Sequence, residues 1–514
     1  SANKLPHKAI LYYQHLAAHK LDPNMSFKEF PALSAENQLL LVENLLQWCL
    51  ANGLVMYPPK FETFSANNAP ITLYPTPFPR DMFERAVNVQ KLFNSLYASV
   101  VARQKPWLLE VVKELAKFDA DFTGKLYETY LRAVEIGGGA VAQPLALGVF
   151  RSDYMYDELT HDIKQIEFNT VSVSFGGLST KVGQAHGYLN KRGSYDDDYS
   201  RKYYQDSDLP VSDSIVKIAQ GLAQANFQYN GQSTNDKSVI LFVVQNGERN
   251  CFDQRHIEYE LLESHGLKSY RLSLEHIREH TTINLGKLYI KLTMDEVSVV
   301  YYRSGYSPAD YESDPKITWD ARLFLETSKA IKCPSLLTQL SGAKKIQQVL
   351  TVPEVVKSFL PEISTGDLGN LLSTFVKIYP LDDSEEGKIA KKLAFESPEK
   401  FVLKPQREGG GNNVYKQKIP DFLRSLDEKE WGAYILMELI NPPTHQNTIL
   451  RNNELYKEDI VSELGIFGNI IFNEDTGEVL SNENAGHLLR SKFSSSDEGG
   501  VAAGFGCVDN VYLY

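Results

Sequence analysis

The stretch from Phe401 to Tyr415, FVLKPQREGGGNNVY, gathers residue types suited to holding a phosphate. A short apolar run (Phe401, Val402, Leu403) leads to Lys404, then Glu408, then Gly409, Gly410 and Gly411. Consecutive glycines admit dihedrals closed to other residues, so successive N–H groups can form a nest around an anion. Lys404 adds a point charge. Glu408 would repel a phosphate unless a hard cation lay between them, and Mg2+ held by one or two carboxylates plus phosphate oxygens meets that need. No G-x-x-x-x-G-K-[ST] sequence is present here, so the stretch is not a Walker A loop. A surface turn with an unrelated Lys and Glu is the alternative.

Other candidate groups lie on alternating stretches. In IKQIEFNTVSVSFGGL, Glu167 and Asn169 share one face of a strand and Ile166 and Phe168 the other, with Ser172 and Ser174 repeating the pattern. A carboxylate and an amide on an apolar strand need partners if covered; ligands and a solvated face both fit. Arg151 stands where the apolar run LALGVF turns polar. Arg249, Asn250 and Gln254 follow SVILFVVQ, and Arg303 closes EVSVVYYR. Ligands of open α/β sheets bind outside the carboxyl ends of strands, and two arginines there suit a carboxylate-bearing substrate, although structural salt bridges are the alternative. Lys344, Lys345, Glu463, Arg490 and Lys492 complete the set. No G-x-S-x-G or Cys–His pair supplies an activated nucleophile, and His487 reads as an ordinary satisfied histidine. That points to transfer between bound substrates, with positioning and charge neutralisation doing the catalysis, as in phosphoryl transfer.

The elements that must position these groups are mixed. Residues 1 to 136 read as helical: Ser34 caps a helix with Leu39, Val42, Leu46 and Cys49 as its stripe, ending at Asn52-Gly53. Helices follow Arg80 and Pro106, the latter with Leu108, Val111, Val112 and Leu115 on one face. Gly137 to Gly139 lack a nearby lysine or carboxylate and read as a helix end. Asp196 to Asp198 sit in a polar loop and read as solvated. Strand and helix then alternate from about 232 to 340, with Asp253 placed to cap a helix. Helices near 367 to 379 and 384 to 395 lead to the glycine stretch, and YILMELI (434 to 440) follows as a strand. Two strands enclosing a glycine loop read as a lid. SELGIFGNIIF (462 to 472) returns to a main sheet, and the Ser- and Gly-rich run after Lys492 reads as a second loop that closes over ligand.

The 514-residue chain has room for two or three domains. Its 43% hydrophobic and 23% charged content is that of a folded protein, and its net charge of −12 opposes non-specific binding to nucleic acid or anionic membrane. Four scattered cysteines form no C-x-x-C pair, which suits a reducing compartment. The first residues lack the apolar core of a signal peptide, and no apolar run spans a bilayer, so a cytoplasmic location is expected.

KPQREGGGNN, IEFNTVSVSFGGL, YYRSGY, ERN-x-FDQR and LLRSK…GGVAAG together resemble the eukaryotic glutathione synthetase family, densest from Arg151 to Tyr514. The resemblance implies an α+β / α/β ATP-grasp fold with a helical N-terminal part, an inserted α/β substrate-binding domain and a glycine-loop lid. The implied partition is 1–231 (helices and first part of the body), 232–340 (substrate domain), 341–365 (connection with Lys344), 366–440 (lid) and 441–514 (rest of the body with an alanine-rich loop). It implies a homodimer that joins γ-glutamylcysteine to glycine with ATP and one or two Mg2+ ions. By matching position, Glu167, Asn169 and Glu408 are the metal ligands. Lys344, Lys404, Gln406, Arg407, Glu408, Gly409, Gly410, Gly411, Asn412, Asn413, Tyr415, Met437, Glu438, Leu439, Ile440, Glu463, Lys492 and Glu498 join Glu167 as ATP contacts, although Glu498 stands where some relatives carry Asp. Arg151, Ser172, Val173, Ser174, Glu248, Asn250, Gln254, Arg303 and Tyr306 match the γ-glutamylcysteine site, and Arg490, Val501 and Ala502 the glycine end. Arg490 and Lys404 are the expected catalytic residues.

Two rivals follow from the same residues. The same fold could take β-alanine instead of glycine, although the small Ala502-Ala503 pair argues mildly against a longer acceptor. A non-catalytic nucleotide-binding regulator is the more distant one, and it does not need the metal ligands and lysines together.

Overall fold

A computed structural model describes residues 26–233, 237–406, 412–496 and 506–514. Arg407, Glu408, Gly409, Gly410, Gly411, Glu498, Val501 and Ala502 therefore lie outside the described residues. A 13-stranded sheet forms the centre. Four antiparallel strands dominate it: β1 (Leu145–Asp157), β2 (Asp162–Asn169), β3 (Glu454–Asn473) and β4 (Val479–Phe493), in the spatial order β2-β1-β3-β4. Their two faces bury different residues. Phe150 and Tyr154 of β1, Phe168 of β2, Ile466 and Ile470 of β3 and Leu489 of β4 pack with helix α1 (Arg80–Ala102). Leu147 and Val149, Phe467 and Ile471, and Leu488 pack on the other face with helices α2 (Gly176–Arg192) and α3 (Ser214–Tyr229).

The second face is the one that matters. Toward one end of the strands its apolar residues give way to Arg151 and Asp153 on β1, Gly465 and Glu463 on β3, and Arg490 and Lys492 on β4, in keeping with the two-residue period. The 238–243 and 296–302 strands run parallel, and the 331–333 strand links them to β1, so the α/β segment expected at 232–340 is hydrogen-bonded into the main sheet. A separate four-stranded sheet holds the 401–405 strand between 434–438 and 414–415. One of its faces buries Leu403 and Leu436 against Ala390, Ala394, Ile419 and Leu423. The other carries Ile378, Val402, Ile435 and Met437, an apolar patch on the face that also bears Lys404.

The expected helices after Arg80 and Pro106 form, as does the helix end at Gly137. Ser34 caps Ala35–Asn52, and Gly53 ends it in the left-handed region at φ 72°. The buried stripe of that helix is Leu41, Leu45 and Cys49, whereas Leu39 is 67% exposed. Three consecutive leucines offered two apolar faces, and packing against α2 selected the second. The N-terminal part is also less helical than expected, with short strands at 55–56, 67–68, 71–72 and 76–78. The helix expected at 367–379 is Thr365–Leu372, and Ile378–Pro380 instead pairs with the 434–438 strand. That strand ends at Glu438, so Leu439 and Ile440 lie just beyond it.

Candidate active site

Strand register builds the floor. Arg151 pairs across with Asn169, and Asp153 with Glu167; Gly465 faces Asp153, and Glu463 faces Arg490. Asp153, which the sequence did not single out, lies at the centre and is 1% exposed. Its Oδ1 accepts from Arg151 Nε at 2.7 Å, and its Oδ2 from Arg151 Nη2 at 3.2 Å, Asn169 Nδ2 at 2.9 Å and Arg490 Nη2 at 3.3 Å. Arg490 also reaches Glu463 Oε2 at 3.0 Å. Removing one partner from a buried pair of this kind costs about 3–5 kcal/mol, because the other charge stays buried. Gly465 is required by this packing. A Cβ there would come within 2.8 Å of Arg151 Cδ and 3.0 Å of Asp153 Oδ1. The Arg-x-Asp spacing on one strand face repeats the Glu-x-Asn spacing of β2, and that was the available signal for Asp153.

Two lysines from other elements come to this end of β2. Lys344, which opens the Lys344–Leu350 helix, donates to Glu167 Oε2 at 2.7 Å, and Lys404 donates to the Ile166 carbonyl at 3.2 Å. Burial opposes ionisation of Glu167, but Lys344, Lys404 and Arg490 outweigh it and hold the carboxyl well below the usual range. Lys404 is 4% exposed; burial and the neighbouring Lys344 push its ammonium down to about 8 against the pull of Glu167, Glu463 and Asp153. Burial disfavours the Arg490 guanidinium, yet Asp153, Glu463 and Glu167 raise it above its ordinary value. Both amide hydrogens of Asn169 are committed, to the Arg151 carbonyl at 3.1 Å and to Asp153, so its carbonyl oxygen is the atom left for a cation. With Glu167 it offers the hard oxygen donors that Mg2+ prefers. Among the described residues no group of three or more His, Cys, Asp or Glu forms a metal site.

A second cluster surrounds the turn after β2. Ser172 and Ser174 are not on a continuing strand, as expected from alternation; β2 ends at Asn169, and Ser172 and Phe175 adopt left-handed φ of 50° and 72° to turn the chain into α2. Asp253 fixes this turn. It does not cap its own helix, Cys251–His265, as expected; its carboxylate instead accepts from Phe175 N at 2.8 Å, Gly177 N at 2.7 Å and Leu178 N at 2.8 Å. A carboxylate at the N-terminus of α2 satisfies otherwise orphaned donors and complements the helix dipole. Gly177 permits the approach, since a Cβ would lie 2.2 Å from the Asp253 carbonyl oxygen. Arg303 donates to the Val173 carbonyl at 2.6 Å and to Ser174 Oγ at 2.8 Å, and Arg151 Nη1 donates to the Ser174 carbonyl at 2.9 Å. Ser172 Oγ donates to the Tyr302 carbonyl at 2.8 Å. Glu248 accepts from Asn250 N at 3.0 Å, and Tyr306 receives a bond from Gln245 at 3.1 Å. Asn250 and Gln254 are 4% and 2% exposed, and Oδ1 of the one and Oε1 of the other have no protein partner. Two buried orphaned acceptors beside two arginines are what a zwitterionic substrate would complete.

The four-stranded sheet contributes Lys404 and, with Gln406 buried just beyond it, Met437 and Glu438, which pair with Val402 and Phe401. Leu439 N donates to Lys400 O at 2.9 Å. Asn413 Nδ2 lies 3.4 Å from the Tyr415 hydroxyl, and Asn412 is exposed. Lys492 sits across from Val461, two residues from Arg490 on the same face. Asp196 to Asp198 stay apart from the site, with Asp197 accepting from Ser34 N at 2.9 Å. His487 is buried and bonded to Asn510 at 2.9 Å.

The family model for the ATP-binding domain of eukaryotic glutathione synthase matches residues 35–513. The glutathione synthetase large chain of Schizosaccharomyces pombe is 43% identical over 472 residues, covering 87% of this chain and 91% of that one. The human glutathione synthetase is 36% identical over 481 residues, covering 92% and 96%. A glutathione synthetase-like effector of Globodera pallida, solved in its apo form, superimposes with a TM-score of 0.71 at 25% identity, covering 95% of this chain and all of that one. The ATP-grasp-type α+β body, the cation-rich sheet floor and these matches have one meaning: the chain belongs to the eukaryotic glutathione synthase family, and it is an ATP-dependent ligase of glutathione synthesis.

Proposed function

We propose that the site joins γ-glutamylcysteine to glycine through an acyl phosphate, with the residue roles that follow. The observation carrying this reading is the meeting of Glu167, Lys344, Lys404 and Arg490 at one end of the sheet floor, next to the buried Asn250, Gln254 and Arg303. The apolar lid face of Ile378, Val402 and Met437 packs the adenine ring, and Lys344 and Lys404 meet the phosphates. Arg151, Arg303, Asn250 and Gln254 bind γ-glutamylcysteine by its charged groups. Glu167 and Asn169, with Glu408 from the glycine loop, hold Mg2+, which when bound neutralises charge on the phosphate oxygens.

The cysteinyl carboxylate then attacks the γ-phosphorus, and ADP leaves. The glycine amine attacks the acyl phosphate carbonyl, giving a tetrahedral intermediate from which phosphate departs. Arg490, charged at any working pH, faces the negative charge that develops on the reacting carboxylate and phosphate. Closure of the lid excludes water from the acyl phosphate. The enzyme works as a homodimer in a reducing, cytoplasmic setting; Cys49, Cys251, Cys333 and Cys507 all being free thiols supports the latter. Among the described residues no helix is long and apolar enough to cross a membrane. The test is trapping: with ATP and γ-glutamylcysteine but no glycine, hydroxylamine should yield the hydroxamate of the cysteinyl carboxylate. Phosphate release without any hydroxamate would exclude the acyl phosphate.

A further inference from the structure

Asp153 touches none of the ligands assigned above, yet its bonds run to three of the groups that do. Four donor atoms of Arg151, Asn169 and Arg490 converge on the carboxylate, one on Oδ1 and three on Oδ2. Each bond fixes something a ligand would feel. The two contacts to Arg151 hold the guanidinium in plane, leaving Nη1 on the Ser174 carbonyl at the substrate turn. The contact to Asn169 decides which end of that amide faces a cation. The contact to Arg490, shared with Glu463, suspends the guanidinium between β1 and β3. Opposite Asp153 the chain has Gly465, whose missing side chain leaves room for the Arg151 and Asp153 side chains to lie flat.

We propose that Asp153 is a positioning residue that sets the orientations of Arg151, Asn169 and Arg490 together, so that substrate carboxylate, cation and reacting carbonyl meet one preset sheet face. The proposal rests on the roles given to those three residues above. Lys344 bonds to Glu167 and Lys404 to the Ile166 carbonyl, so Asp153 acts on Lys404 through its charge, which helps to keep that ammonium protonated.

The test compares wild type with Asp153→Asn, which keeps the shape but points an N–H pair at donors. Calorimetry gives the γ-glutamylcysteine affinity of the ligand-free enzyme, water-proton relaxation gives Mn2+ binding in the presence of ADP, and thermal unfolding gives stability. The expected result is a loss of about tenfold or more in both γ-glutamylcysteine and Mn2+ affinity, the range for partners that orient a ligating side chain, with the affinity for ADP alone unchanged at about pH 6.5, where Lys404 stays charged in both proteins. Should Asp153→Asn fail to fold, Gly465→Ala moves the same carboxylate by crowding and should weaken γ-glutamylcysteine while sparing ADP. Arg151→Lys and Asn169→Ala separate the two layers of the argument. If they leave γ-glutamylcysteine and Mn2+ binding intact, the site assignment falls and this proposal falls with it. If they weaken binding but Asp153→Asn lowers only the unfolding temperature, Asp153 is structural and the proposal alone is overturned.

Discussion

Lys404 should make nucleotide binding depend on pH in a way that most ATP sites do not. Its ammonium is 4% exposed, lies beside Lys344, and titrates at about 8 in the ligand-free enzyme because burial and that second lysine disfavour its charge. ATP binds the charged form, so the apparent dissociation constant scales as one plus the ratio of neutral to charged lysine. From about pH 7.5 to about pH 9 that factor rises roughly eightfold, or ~1 kcal/mol. The sign is opposite to a carboxylate's: binding is strongest below the lysine's pKa and weakens as pH climbs through it. Nucleotide phosphates are already fully ionised in that window and contribute no slope. The assay is fluorescence or calorimetric titration with Mg-ATP in the absence of γ-glutamylcysteine. Lys404→Arg, whose guanidinium keeps its charge throughout, is the control; whatever its absolute affinity, its profile should be flat. A flat wild-type profile, or a variant that keeps the eightfold slope, would refute the reasoning.

Three further outcomes are expected. Glu408→Gln should raise the Mg2+ concentration needed for half-maximal turnover at least tenfold while leaving the unfolding temperature within a few degrees, checked by metal titration and calorimetry. Asp253→Asn removes the charge that three backbone N–H groups share, so unfolding free energy should fall by about 2–4 kcal/mol and the KM for γ-glutamylcysteine should rise, because the Ser172–Phe175 turn loses its anchor. Glu474 is buried, and burial lifts its carboxyl to about 7 despite a bond from Ser335. A raised folded pKa means stability is lost as pH rises from about 4.5 to about 7, so Glu474→Gln should gain about 3 kcal/mol on wild type between pH 5 and pH 8 in denaturant titrations.

Much of the site could be read from the sequence because strands write their faces at a period of two. Glu167 with Asn169, and Arg490 with Lys492, were legible as same-face pairs, and register then brought them beside Arg151 and Glu463. Lys344 and Lys404 were legible as candidates but not as neighbours of β2, since a meeting with Glu167 across 177 residues, or with the Ile166 carbonyl across 238, leaves no local pattern. Asp153 looked like an ordinary polar residue following an arginine; its place at the centre depends on β3 lying alongside β1. Asp253 was expected to cap a helix and does, but the helix is α2, because Gly177 lets its N-terminus come against the Cys251–His265 segment. The run from Thr170 to Phe175 read as strand because it alternates, and was overruled by the glycines that start α2. Three leucines in a row hid the true face of the Ala35–Asn52 helix, where packing alone made the choice.

The central claim is most directly tested by phosphate release from ATP with γ-glutamylcysteine, comparing glycine, β-alanine and no acceptor, with the product identified by mass. Release coupled to glycine and a product of glutathione mass are expected, with β-alanine well behind. Release that prefers β-alanine would keep the fold and chemistry but replace the acceptor, and nucleotide binding without release for any acceptor would contradict the account.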